Sequence, residues 1–194
     1  MNRGFLSSDT PSPERNQAVP MDTEKKSWWL SYGESLEQAF VGICTHNLNI
    51  NAEINPAKSE EPTAPDLLFE GRIADLKVQN TPFFSAQKYG MDPQFTVTFN
   101  RKDYERYLNN YPDIGVIFWV NWTQLSWNNY SVEPFNQVYA ASIQKIRSFV
   151  ESGAAEHSYI HRQNDELGNA KSSFLFDVRK MKLVAVIEEE QTVL

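Results

Sequence analysis

Asp66, Asp75 and Lys77 have the residue types and the spacing that do chemistry. They lie in the segment 65–79, which reads PDLLFEGRIADLKVQ. Side chains alternate across a strand, so Ile73, Asp75, Lys77 and Gln79 share one face and Ala74, Leu76 and Val78 share the other. The second face is apolar and predicts core. The first carries an acid, an amine and an amide at two-residue steps. Glu70-Gly71-Arg72 predicts the turn of a hairpin joining 67–69 to 73–79, with Glu70 as a turn residue. That turn places Asp66 close to a direct cross-strand partner of Asp75. Two carboxylates meeting at one point are costly unless a cation neutralises them. Hard oxygen donors so arranged suit Mg²⁺, which takes one or two carboxylates, waters and substrate phosphate.

Such a hairpin needs elements to hold it. Residues 32–43 place apolar side chains at Leu36, Ala39, Phe40 and Ile43, a helical spacing. Residues 48–54 alternate and predict a strand, followed by a Pro-, Ser- and Glu-rich loop over 55–65. After the hairpin, 80–93 read as a long loop with exposed aromatics and 94–99 as a strand. Asn100 is placed to cap a helix through about residue 111, with Tyr104, Tyr107 and Leu108 on one face. The apolar run 114–122 predicts a central strand covered on both sides. Residues 123–135 predict a polar-aromatic loop. A helix is predicted over 135–152, with Val138, Ala141, Ile143, Ile146, Phe149 and Val150 inward. Late strands are expected over 172–178 and 183–187. This order predicts an α/β or α+β domain with a mixed β-sheet flanked by helices.

Composition sets the outer limits. The chain has 194 residues, of which 41% are hydrophobic and 22% charged, enough for one globular domain. Residues 1–27 are rich in Ser, Pro and charge and predict a flexible arm, leaving 28–187 as the domain and 188–194 as an acidic tail. A single cysteine, Cys44, excludes a disulfide framework and a Cys-rich zinc module, and it reads as a small core residue. No apolar run approaches the roughly 18 residues of a membrane span, and the N-terminus lacks an apolar signal region, so a cytoplasmic, intracellular protein with no membrane partner is expected. The formal net charge of −7 argues against a generic basic nucleic-acid coat. It does not exclude an enzyme that concentrates positive charge locally. Any DNA binding is then expected to be weak, metal-assisted and strongly salt-sensitive.

The Pro65-Asp66 and Asp75-Leu76-Lys77 pair resembles the motif of the PD-(D/E)XK nuclease superfamily, the restriction-endonuclease-like and resolvase-like enzymes. The helix, strands and helix over about 30–151 match that family's core order αβββαβ. Gly33-x-x-x-Glu37 resembles the first helix of the resolvase-like branch, and Gln79, two residues past the lysine, also recurs there. The resemblance implies a Mg²⁺-dependent endonuclease hydrolysing phosphodiester bonds in DNA, with Mn²⁺ able to substitute. Asp66, Asp75 and the Leu76 carbonyl would hold the metal. Glu37 would orient its water shell or hold a second ion, with Glu34 as rival. Lys77 would position and help deprotonate the attacking water, and Gln79 completes the catalytic set. Double-strand cleavage would suggest a homodimer.

Further signals are weaker. Arg101, Lys102, Arg179, Lys180 and Lys182 are candidates for phosphate contact, with Arg106, Lys145 and Arg147 beside them. Phe83, Phe84 and Tyr89 stack on bases or fold back on the core. Trp122 to Tyr130 pairs aromatics with amides, suiting base edges or a protein partner. His157 and His161 have helical metal spacing but no third ligand. A different class stays open: a non-catalytic α/β adaptor that binds a protein or nucleic acid through its aromatic loops.

Overall fold

The computed structural model describes residues 26–158 and 172–188. Most of the expected arm, the tail beyond Glu188, and His161 lie outside them. The architecture is mixed α+β. Helix α1 (Lys26–His46) is followed by strands β1 (Ala52–Ile54), β2 (Leu67–Phe69) and β3 (Arg72–Gln79). Strand β4 (Thr96–Asn100) leads into α2 (Arg101–Asn110), and β5 (Gly115–Asn121) follows. A small hairpin, β6 (Ser126–Trp127) and β7 (Tyr130–Ser131), precedes β8 (Asn136–Ser142) and α3 (Ile143–Glu151). Strands β9 (Glu156–His157), β10 (Ser173–Asp177) and β11 (Lys182–Val186) complete the described chain.

Among the described residues, the main sheet runs β1-β2-β3-β5-β8-β11. The first three strands form an antiparallel meander, β5 lies parallel to β3, and β8 and β11 add antiparallel strands. The predicted hairpin register holds: Leu67 faces Ala74, which sets 66 opposite 75 one step further on. Glu70 and Gly71 turn the chain with φ of 50° and 71°, the left-handed pair that a two-residue turn needs. The Glu70 carboxylate is a turn partner, accepting the Asn51 N–H at 2.8 Å.

Two cores sandwich the sheet. On one side Phe40 and Cys44 of α1 pack on Leu67, Ala74, Leu76, Ile117 and Trp119. On the other, Phe99, Tyr107, Phe118, Ile143, Ile146 and Phe176 form the larger cluster with α2, α3 and a second sheet, β4-β10-β9. Strand β5 is buried on both faces, as its apolar run implies. Asn100 caps α2 by accepting the Lys102 N–H at 2.8 Å.

Four expectations need correction. The segment 135–152 is not one helix. Its first half is β8, and Ser142 caps the shorter α3 by accepting the Lys145 N–H at 3.1 Å. Val138 and Tyr139 enter opposite cores, a two-sided burial that strand geometry requires and a single helix face would not give. Strand β1 is shorter than expected, and Ala39 on α1 is exposed. His157 sits on strand β9, so the helical spacing to His161 does not apply.

Candidate functional site

Strand β2 pairs with β3 only as far as Leu67 and Ala74, while β3 continues to Gln79 beside β5. One edge of β3 is therefore uncovered from Leu76 onward. Asp66 fills the gap: its Oδ2 accepts the Leu76 N–H at 3.0 Å. A strand residue directs its N–H and C=O to the same edge, so the Leu76 carbonyl faces this opening too.

Two lysines organise the carboxylates around that edge. Lys58 donates to both oxygens of Glu37 at 2.6 Å and to Asp66 Oδ1 at 2.9 Å. It belongs to a 3-10 turn, Pro56–Ser59, capped by Asn55, which accepts the Ala57 N–H at 3.1 Å. The Asn55 amide also donates to the Pro65 carbonyl at 2.8 Å, tying the turn to the segment that carries Asp66. Burial lowers the Lys58 pKa, but Glu37 and Asp66 outweigh it and leave the ammonium above its ordinary range.

Lys77 belongs to a second cluster. Its Nζ lies 2.7 Å from Asp75 Oδ2 and 2.8 Å from Asp103 Oδ2. Tyr107 donates to Asp75 Oδ1, Arg106 Nη2 donates to the Tyr107 hydroxyl at 2.6 Å, and Arg106 reaches Asp103 at 3.3 Å. Lys77, Asp75, Tyr107, Arg106 and Asp103 thus form a closed polar ring between β3 and α2. Helical spacing brings three members together, because Asp103, Arg106 and Tyr107 lie three and four apart. Asp75 is only 3% exposed. Its burial pushes its pKa up, with Lys77 opposing and Asp66 adding to the rise. Burial pulls Lys77 down, but Asp75, Tyr107 and Asp103 prevail and hold it well above the ordinary lysine range. The Lys77 contact to Asp75 Oδ2 is an ion pair outside hydrogen-bond geometry, so that buried oxygen has no hydrogen bond among the described residues.

A cleft of about 450 Å³ opens over this edge, lined by Tyr32, Gly33 and Glu37 of α1, by residues 76–79 of β3, and by Asp103. Glu37 also borders a second cavity of about 770 Å³ that contains Glu34, Lys58 and Asp66. The structure therefore brings Glu37 to Asp66, and Asp75 to Lys77, with β3 between the two groups. Glu37, rather than Glu34, reaches Asp66 through Lys58. Among the described residues, no three His, Cys, Asp or Glu side chains gather as one metal-binding group. The Gln79 amide is engaged elsewhere, donating to the Thr98 carbonyl at 2.8 Å and accepting the Thr98 N–H at 3.1 Å. It ties β4 to β3 as a strand would.

The other candidates are scattered. Arg101 is paired with Glu105 and Glu156, and Arg179 with Asp177. Lys102, Lys180 and Lys182 are exposed. Phe84 is buried in the larger core, whereas Phe83 and Tyr89 gather round His157, whose Nδ1 is 2.8 Å from the Tyr89 hydroxyl. Trp122 is buried, while Leu125, Trp127 and Tyr130 project from the β6–β7 hairpin. The base of that hairpin is joined to the cleft end of β3, since Thr123 N–H donates to the Asn80 carbonyl at 2.8 Å. Cys44 is buried as expected.

Lys58, Asp103 and Tyr107 were not legible as site residues. Lys58 lies in a loop that the sequence marks only as polar, and Tyr107 reads as one more aromatic on an apolar helix face. No family model, curated protein or solved structure matches the chain.

Proposed function

We propose that the chain is a metal-dependent endonuclease hydrolysing phosphodiester bonds in DNA, on a restriction-endonuclease-like core. The observation that carries this reading is the meeting of Glu37 and Asp66 on one cation, beside the strand that bears Asp75 and Lys77. With β4 set apart in the second sheet, the remaining order α1-β1-β2-β3-α2-β5, with an antiparallel meander and a parallel last strand, supports the proposed core αβββαβ.

The residues present fit a divalent ion. The donors are hard carboxylate oxygens: three of them, from Glu37 and Asp66, already grip the Lys58 ammonium, and Asp75 Oδ2 is buried with no hydrogen bond, only the ion pair to Lys77. Glu37, Asp66 and the Leu76 carbonyl share one edge of β3 and would hold it; Asp75, engaged with Lys77 and Tyr107 across β3, would have to turn toward that edge to join them. When bound, such an ion supplies an activated water and charge stabilisation at the phosphate. Lys77 supplies a fixed positive charge. Its pKa, held high by Asp75 and Asp103, makes it an ammonium that binds phosphate rather than a base. Tyr107 and Arg106 fix Asp75 and Asp103 and so aim Lys77 at the cleft. Gln79 acts as a positioning residue through β4.

Plasmid cleavage in Mg²⁺ or Mn²⁺ tests the reading. Wild type is expected to nick or cut, and Lys77→Ala to lose about 100-fold or more of the rate. That variant leaves Asp75 without its cation, so it is assayed well below its own melting temperature. Asp66→Asn keeps an acceptor for the Leu76 N–H and serves as a second, structurally conservative knockout. Cleavage by either variant at the wild-type rate, or a wild type inert with every metal, overturns the proposal. The inert outcome would favour an adaptor that binds through exposed Trp127 and Tyr130.

A further inference from the structure

Lys58 belongs to no motif, yet it makes the closest contacts to the paired carboxylates. Three hydrogen bonds of 2.9 Å or less hold its Nζ between Glu37 and Asp66. Both carboxylates depend on it, because two anions so close repel each other without a cation. The ammonium therefore sits where a hard divalent ion would be gripped. Its backbone is fixed by Asn55 to the strand entrance, but its four-carbon stem is flexible. The adjoining cavity of about 770 Å³ gives the stem room to withdraw, and Glu34 on its wall offers another carboxylate.

We propose that Lys58 is an exchangeable counter-ion: its ammonium occupies the cation position between Glu37 and Asp66 until a divalent cation displaces it toward the second cavity. The inference rests on the nuclease reading for the identity of that cation. Exchange changes the sign of the local field. Glu37, Asp66 and Lys58 together carry one net negative charge, which repels a phosphodiester. With a divalent ion between the carboxylates and Lys58 retained nearby, the same group carries one net positive charge. Metal loading would thus convert a phosphate-repelling site into a phosphate-attracting one, and DNA and metal would bind with positive coupling.

The test is Mn²⁺ titration by calorimetry on wild type, Lys58→Met and Lys58→Arg. Removing the competitor should tighten Mn²⁺ binding in Lys58→Met by about tenfold, while Lys58→Arg, which keeps a cation, should show no such gain. Lys58→Met should also melt lower than wild type without metal and gain more from Mn²⁺. Acetic anhydride labelling of wild type, read by mass spectrometry, covers the case in which Lys58→Met does not fold. Lys58 should be protected without metal and labelled several-fold faster with Mg²⁺. Equal or weaker Mn²⁺ binding by Lys58→Met, or labelling indifferent to Mg²⁺, overturns the exchange. If the affinity gain is seen but no form cuts DNA, the exchange stands and the nuclease reading falls. If wild type cuts DNA without the affinity gain, only the exchange falls. If no form binds Mn²⁺, both fall.

Discussion

Replacing Tyr107 with Phe removes one oxygen and leaves the ring in place. The ring is fully buried and packs near Phe99 and Tyr111, both with centroids 6.3 Å away, so no cavity of consequence opens. What is lost is the hydroxyl that donates to Asp75 Oδ1 and accepts from Arg106. A hydrogen bond to a charged group contributes about 1.5–3 kcal/mol, and the orphaned carboxylate is almost wholly buried. A loss of about 2 kcal/mol at pH 7 is therefore expected. Urea unfolding should show it as a lower midpoint with an unchanged slope. The loss should also depend on pH. Burial already raises the folded pKa of Asp75, and Tyr107 opposes that rise. The variant pKa should stand higher still, so its folded state binds a proton over a wider range than that of wild type. Stability falls with rising pH wherever the folded state holds more protons. The gap between variant and wild type should then be widest above the folded pKa of Asp75 and narrow as pH falls through it. Equal stability, or a loss that stays constant from pH 4 to 8, would refute the view that Tyr107 supports a charged Asp75.

The remaining expectations are simpler. Asn100→Ala removes the α2 cap and should cost about 1 kcal/mol in urea unfolding. Burial, with Glu70 nearby, pushes the Cys44 thiol up to about 11. At pH 8 only about one thiol in a thousand is then thiolate, so a disulfide reagent should label the native chain far more slowly than the urea-unfolded one. Trp127 is 55% exposed, so Trp127→Ala should move stability by less than about 0.5 kcal/mol. If the hairpin stacks on DNA, the same variant should weaken binding about tenfold by anisotropy, measured in a Lys77→Ala background.

The hairpin was the most legible part of the chain, because its signals are local. Glu70-Gly71 marks the turn, and alternation from Ile73 to Gln79 sets both faces, so the register of Asp66 and Asp75 followed by counting. Asn100 and the apolar run of β5 were legible for the same reason. The 135–152 segment was not. Val138, Tyr139 and Ala141 fit a helical stripe as well as a strand buried on both sides, and pairing with β5 along 136–142 on one edge and with β11 on the other decides between them. The partition of the site was invisible for a different reason. Lys58 meets Glu37 across 21 positions and Lys77 meets Asp103 across 26, and single-sequence patterns carry no information at that range. The resemblance to the resolvase-like branch places Gln79 in the chemistry, but its amide is consumed by the backbone of Thr98.

Placing the charges also revises what the net −7 means. Glu37, Asp66, Asp75 and Asp103 lie against Lys58, Lys77 and Arg106, leaving the site one negative charge in excess. Arg101 and Arg179, the strongest phosphate candidates by residue type, are already held by carboxylates. A protein that neutralises few phosphates releases few counter-ions, and the slope of affinity against salt scales with their number. If the chain binds DNA as proposed, the pairing of Arg101 and Arg179 would make the salt dependence shallower than composition alone implies. On the proposed exchange, the divalent ion would take control, because displacing Lys58 would alter the charge of the site by two units, more than any single exposed lysine can supply. An acidic chain can thus act on a polyanion if the positive charge arrives with the metal.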